Sequence, residues 1–217
     1  MSLNVQYLVV HTAAFDGRNC DAAMIDRWHR DQGWAGIGYH FVIINDRHDS
    51  LADGTLERGR AKDRVGAHVA GLNSRSLGIC CVGHGDKRPH TEKQRATLLG
   101  LLSGLMDEFN VPVENVIGHR EVNTLVTRGV VEQKYRTTKS CPGALVSMDE
   151  IREQLRQRRA PAPADGPVVA GGVAPSRDEL LGALAVLARV PVATFPTAPV
   201  ELRQFLLHPE VRDLRGD

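Results

Sequence analysis

The sequence predicts an α/β protein, a mixed central β-sheet flanked by helices, with a short helical appendage at its C-terminal end. Short apolar runs of strand length alternate with longer segments that are apolar at helical spacing. One run, Leu77 to Val82, is apolar on both faces, as a strand covered from both sides must be. The composition also shifts abruptly after about residue 158, where apolar periodicity gives way to Pro, Ala and Gly.

In chain order, Leu3 to Val10 reads as a buried strand and Asp21 to Gln32 as a helix with Ala22, Ile25 and Trp28 on one face. The glycine-rich stretch Gly33 to Gly38 is too irregular for either and delivers the chain into a second strand, Tyr39 to Ile44, closed by a turn at Asn45-Asp46-Arg47. A polar stretch with Gly54 and Gly59 leads to Leu77–Val82, which is expected to be central. Thr91-Glu92-Lys93-Gln94 is a capping box for a helix carrying Leu98, Leu101, Leu102, Leu105, Met106 and Phe109, which should end before Val111-Pro112. Val113 to Ile117 returns to the sheet edge, and Ser147 to Glu150 caps a last helix through about Arg158. This bounds one domain over 1–158, a linker over 159–176 and a tail over 177–217 with helices at Asp178–Val190 and Val200–Leu207. The tail is too short to bury a core alone, so its leucine face is expected to dock on the main domain, on a second copy or on another protein.

Composition narrows the function. A net charge of +1 over 217 residues excludes a dedicated nucleic-acid binder, which needs concentrated basic surface. No run approaches membrane-spanning length, and the N-terminal residues lack the basic and apolar regions of a signal peptide, so synthesis in the cytoplasm without a leader is expected. The four cysteines are too sparse for a disulfide scaffold, and Cys80-Cys81 in an apolar run reads as core.

Three residues carry the chemistry. His11 follows the apolar run Tyr7 to Val10, His119 follows the run ending at Ile117, and Cys141 sits in the loop Thr138 to Gly143. Imidazole and thiolate are the side chains zinc prefers, and a catalytic zinc site uses three protein ligands with one position left open. Two histidines at strand ends plus one loop cysteine, far apart in sequence, fit such an open site; no Cys-x-x-Cys pair marks a closed structural one.

Residues 5–155 resemble the zinc-dependent N-acetylmuramoyl-L-alanine amidase domain shared by amidase-type phage lysozymes and peptidoglycan recognition proteins. The matching pieces are Val10-His11-Thr12-Ala13, Gly38 to Ile43, Gly66-Ala67-His68 through Asn73-Ser74, Ser76 to Ile79, Gly118-His119-Arg120-Glu121 and Lys139-Ser140-Cys141-Pro142-Gly143. The resemblance implies zinc on His11, His119 and Cys141, the same set reached from donor chemistry. It also implies catalytic support from Tyr39 and Lys139. Lys139, two residues before Cys141, would place an ammonium near a developing oxyanion, and the Tyr39 hydroxyl would orient water or share proton transfer. His68 and Asn73 are expected to contact substrate, with His40 in the core; His29, His48, His84, His90 and His208 are expected at the surface. The expected activity is cleavage of the bond between the lactyl group of N-acetylmuramic acid and L-alanine in peptidoglycan, by an endolysin or a phage-tail or injection-system component. A muropeptide-binding module without catalysis would have no need of Cys141. An interaction protein acting through its tail stands as a third class.

Overall fold

The computed structural model describes residues 3–159; the expected linker beyond Arg159 and the tail over 177–217 lie outside the described residues. A five-stranded sheet runs in the order β3-β2-β4-β1-β5, with β1 Tyr7–Thr12, β2 Phe41–Ile43, β3 Leu56–Arg58, β4 Ser76–Cys81 and β5 Val116–Gly118. β4 is central, as its doubly apolar pattern requires. The pairs β1–β4, β1–β5 and β2–β4 are parallel, and β2–β3 alone is antiparallel, so the sheet is mixed. Among the described residues no helix is long and apolar enough to cross a membrane.

Among the described residues four helices cover the sheet: α1 Ala22–Asp31, α2 Glu92–Phe109, α3 Val122–Thr127 and α4 Met148–Arg159. Asp21 caps α1 by accepting from Met24 N–H, and Thr91 with Gln94 forms the expected capping box of α2. Gln94 does more than cap. Buried, its side-chain amide donates to Ile43 O at 3.0 Å and Val82 O at 2.9 Å, so α2 begins where β2 and β4 end. Asn110, in the left-handed conformation, stops α2 before Val111-Pro112.

One sheet face carries Leu8, Val10, Ile43, Leu77 and Ile79 and packs on Leu98, Leu102 and Met106 of α2 and Ile151 and Leu155 of α4. Each fully buried leucine or isoleucine there contributes roughly 1.5–3 kcal/mol. On the other face Tyr7, Val9 and Ile117 pack on α3, and Val42, Ile44 and Cys80 pack around Ile25 of α1.

Several boundaries differ from expectation. β1 starts at Tyr7 and runs through Thr12, because its register to Ser76–Cys81 continues past Val10; His11 therefore lies inside the strand and not beyond its end. Regular β2 begins at Phe41, leaving Tyr39 just before it, although His40 N–H still donates to Gly78 O at 2.8 Å. Strand β3 and helix α3 were not foreseen. The three residues of β3 are half or fully exposed, and α3 is six residues rich in β-branched side chains, so neither has a periodic signal. His29, expected at the surface, is buried: its Nδ1 accepts from Gly38 N–H at 2.9 Å, the bond that ties the glycine-rich segment to α1.

Candidate metal centre and cleft

Strands β1 and β5 are neighbours and parallel, so their carboxyl ends open side by side, where open α/β sheets gather ligands. His11 comes from β1, on the same face as Tyr7 and Val9, and is 1% exposed. His119 opens a short 3-10 turn directly after β5. That turn is held from below: Glu121 accepts from Gly118 N–H and from both terminal nitrogens of Arg152 on α4 at 2.9 Å, while Arg152 also donates to Val116 O.

Cys141 arrives on a loop clamped from two sides. Arg120, next to His119, donates through its guanidinium to Ser140 O, Gly143 O and Val146 O at 3.1, 2.8 and 2.7 Å, and its backbone N–H donates to Cys141 O. Asp86 accepts from Ser140 Oγ and Ala144 N–H, both at 2.6 Å. A Cβ on Gly85 would lie 1.9 Å from Pro142 O, so only glycine lets the loop seat this closely.

One donor atom each from His11, His119 and Cys141 falls within 4.8 Å of the others. His11 Nδ1 is 3.7 Å from Cys141 Sγ. Sulfur and nitrogen bound to one tetrahedral ion at about 2.3 and 2.05 Å sit roughly 3.6 Å apart, so the pair fits a shared cation. Burial holds both imidazoles neutral, His11 well below the ordinary histidine range and His119 down to about 4, each lowered further by nearby cationic charge including Lys139. Burial also pushes the Cys141 thiol up to about 11, against the pull of the Thr12 N–H, Lys139 and Arg120. A bound cation reverses that balance, since a coordinating thiol is deprotonated outright.

The other expected site residues gather here. The Tyr39 ring is 5.0 Å from the His11 ring, and burial first, then the surrounding cysteines, keep its phenol protonated. Lys139 is exposed and, with His119, His68, Asn73, Trp34 and Tyr135, lines a cleft of about 370 Å³. A groove of about 610 Å³ between β3 and α2 contains none of the three donors. His68 and Asn73 border the cleft, yet both His68 ring nitrogens and Asn73 Oδ1 meet partners within the protein. His68 Nδ1 meets His11 Nε2 at 3.0 Å, and Asn73 Oδ1 accepts from the backbone N–H groups of His68 and Val69. Arg120 and Glu121 stand in the sequence without an expected role, and Asp86 and Arg152 carry no signal at all, because a carbonyl clamp exists only once the loop is folded.

The fold and site define an α/β protein in which two histidines and a cysteine that could hold a metal ion meet near the carboxyl ends of parallel strands, bordered by a tyrosine and a lysine. The family model described as N-acetylmuramoyl-L-alanine amidase matches residues 1–144, and the chain belongs to that family. It is 35% identical over 122 residues to the endolysin of Enterobacteria phage K11, covering 54% of this chain and 75% of that protein. It is 47% identical over 103 residues to the endolysin of Klebsiella phage KP32, covering 45% and 62% respectively. The solved structure of N-acetylmuramoyl-L-alanine amidase LysC from Clostridium intestinale URNW superposes with a TM-score of 0.58 at 30% identity, over 71% of this chain and 87% of that one.

Proposed function

We infer that this chain is a peptidoglycan hydrolase that cleaves the amide between the lactyl group of N-acetylmuramic acid and L-alanine, with zinc held by His11, His119 and Cys141. The observation that carries this is the meeting of those donors beside Tyr39 and the lysine-bearing cleft, in a member of the amidase family. Zinc bound there would supply a water activated at neutral pH and polarise the scissile carbonyl.

The protein's own groups supply the rest. Lys139 brings a cation to the cleft wall where charge develops on the carbonyl oxygen, and its loop is fixed by the Arg120 and Asp86 contacts that fix Cys141. Tyr39 keeps its proton and presents a hydroxyl that orients the attacking water or hands a proton to the leaving nitrogen. His68 and Asn73 shape the inner cleft wall for the muropeptide. Retention of Cys141 favours catalysis over recognition without cleavage.

The substrate places the site of action at the cell wall, reached after release or delivery. All proposed donors fall between positions 11 and 141, so residues 177–217 are proposed to serve contact with a second copy or another protein, apart from the chemistry. Zinc analysis of the purified protein, alongside release of new L-alanine amino termini from purified sacculi, tests the whole reading. A metal-free protein, or sacculi cut only at sugar linkages, would sink it. A 1–159 fragment should keep zinc and turnover on soluble muropeptide while changing mass in solution; an inactive fragment would place the tail within the enzyme.

A further inference from the structure

Behind His11 runs a chain of polar atoms that the chemistry above does not use. His11 Nε2 is 3.0 Å from His68 Nδ1, His68 Nε2 is 3.4 Å from Ser76 Oγ, and Ser76 Oγ is 2.8 Å from Leu72 O. All three side chains are buried, Ser76 completely. The sheet makes room for them. Ser76 and Gly78 of β4 stand opposite Tyr7 and Val9 in register, on the His11 face, and a Cβ on Gly78 would lie 2.5 Å from the His68 ring. Gly66 is equally constrained: a Cβ there would also lie 2.5 Å from the same ring. The imidazole of His68 thus fills a slot that two glycines keep open.

Only one arrangement of protons satisfies this chain. A carbonyl oxygen can only accept, so Ser76 donates its hydroxyl proton to Leu72 O. The serine oxygen then accepts from His68 Nε2–H, in the longest contact of the series. His68 is buried, and among the described residues its ring nitrogens meet only His11 and Ser76, with no carboxylate to hold a second proton, so it carries one ring proton and its Nδ1 is an acceptor. His11 must therefore donate from Nε2, which leaves the lone pair of Nδ1 free on the side facing Cys141 Sγ.

We propose that His68, backed by Ser76 and the Leu72 carbonyl, is a positioning residue that fixes the tautomer and ring angle of His11, so that His11 meets the metal through Nδ1. This rests on the zinc reading above. It gives His68 a role towards the metal beside its place in the cleft wall, and Asn73 holds the His68 backbone by accepting from its N–H.

The wild-type full chain, labelled with ¹⁵N-histidine and loaded with zinc, should show long-range ¹H–¹⁵N correlations of His11 protonated at Nε2 and His68 protonated at Nε2. Metal on His11 Nε2, or a proton on His68 Nδ1, would overturn the proposal. In competition with a chelator, His68→Leu should weaken zinc binding roughly 10–100-fold, the effect usual for loss of a partner to a metal-bound histidine. His68→Gln, whose amide oxygen can accept from His11 and whose amide nitrogen can donate to Ser76, should stay within a few-fold of wild type. Unchanged affinity in His68→Leu, or no rescue by glutamine, leaves His68 a packing residue and overturns the proposal. The NMR measurement needs no variant to fold. Failure of the wild type to take up zinc overturns the metal site itself, whereas zinc uptake with the opposite tautomers overturns only the role of His68.

Discussion

Cys141 and Lys139 are two residues apart on one loop and should fail in different ways. Cys141→Ala removes one of three donors, so zinc and hydrolysis should vanish together. Lys139→Ala leaves all donors in place, so zinc should stay near one per chain while turnover on muropeptide falls on the order of 100-fold. Metal analysis beside initial rates separates the two, and an unchanged Lys139→Ala rate would return that residue to the surface. That His11, His119 and Cys141 come together was legible in sequence because zinc admits few side-chain types, and the two histidines stand where apolar runs end while the cysteine stands in a loop. The inward turn of His68 was not legible, because which atom an imidazole nitrogen meets depends on a serine and a glycine brought there by β4.

At the scale of elements, the Cys141 loop has little regular structure of its own and depends on Arg120. Replacing Arg120 with methionine keeps the aliphatic stem but strips donors from three loop carbonyls. Zinc affinity should drop roughly 10–100-fold, while the amide-exchange protection of β1 and β4 remains, since the sheet does not use this side chain. Loss of protection throughout the sheet would show that Arg120 supports the fold and not the loop. Long elements such as α2 were readable from capping box to left-handed stop. β3 and α3 were missed because three exposed residues and six β-branched-rich ones carry no period, and only pairing to β2 or packing on Val9 and Ile117 makes them regular.

For the molecule as a whole, buried neutral histidines set an acid limit. His90, lowered to about 4 by burial and then Arg95, has a buried Nε2 without a hydrogen-bond partner among the described residues; His29 and His40 are likewise lowered chiefly by burial. These groups take up protons more readily when unfolded, at an ordinary value near 6.5, so unfolding gains protons as pH falls. Stability of zinc-free protein should be full above about pH 6.5 and decline steadily towards pH 4, read as a falling urea midpoint. A midpoint constant across that window would contradict the burial of these rings.

Cys141 and His11 are separated by 130 positions, so a cation joining them acts as a removable cross-link between the first strand and the end of the domain. Closing so long a loop restricts the unfolded chain more than a local clip does, though only by about 0.6 kcal/mol per doubling of length. Thermodynamic linkage gives the whole effect: free zinc at about 100 times its Kd would stabilise the folded chain by about 2.7 kcal/mol. The Tm should therefore rise with the logarithm of free zinc and fall on chelation, with exchange slowing across the entire sheet and not only at the loop. Resistance to heat and proteolysis would then be set by the zinc supply of the medium in which the protein works.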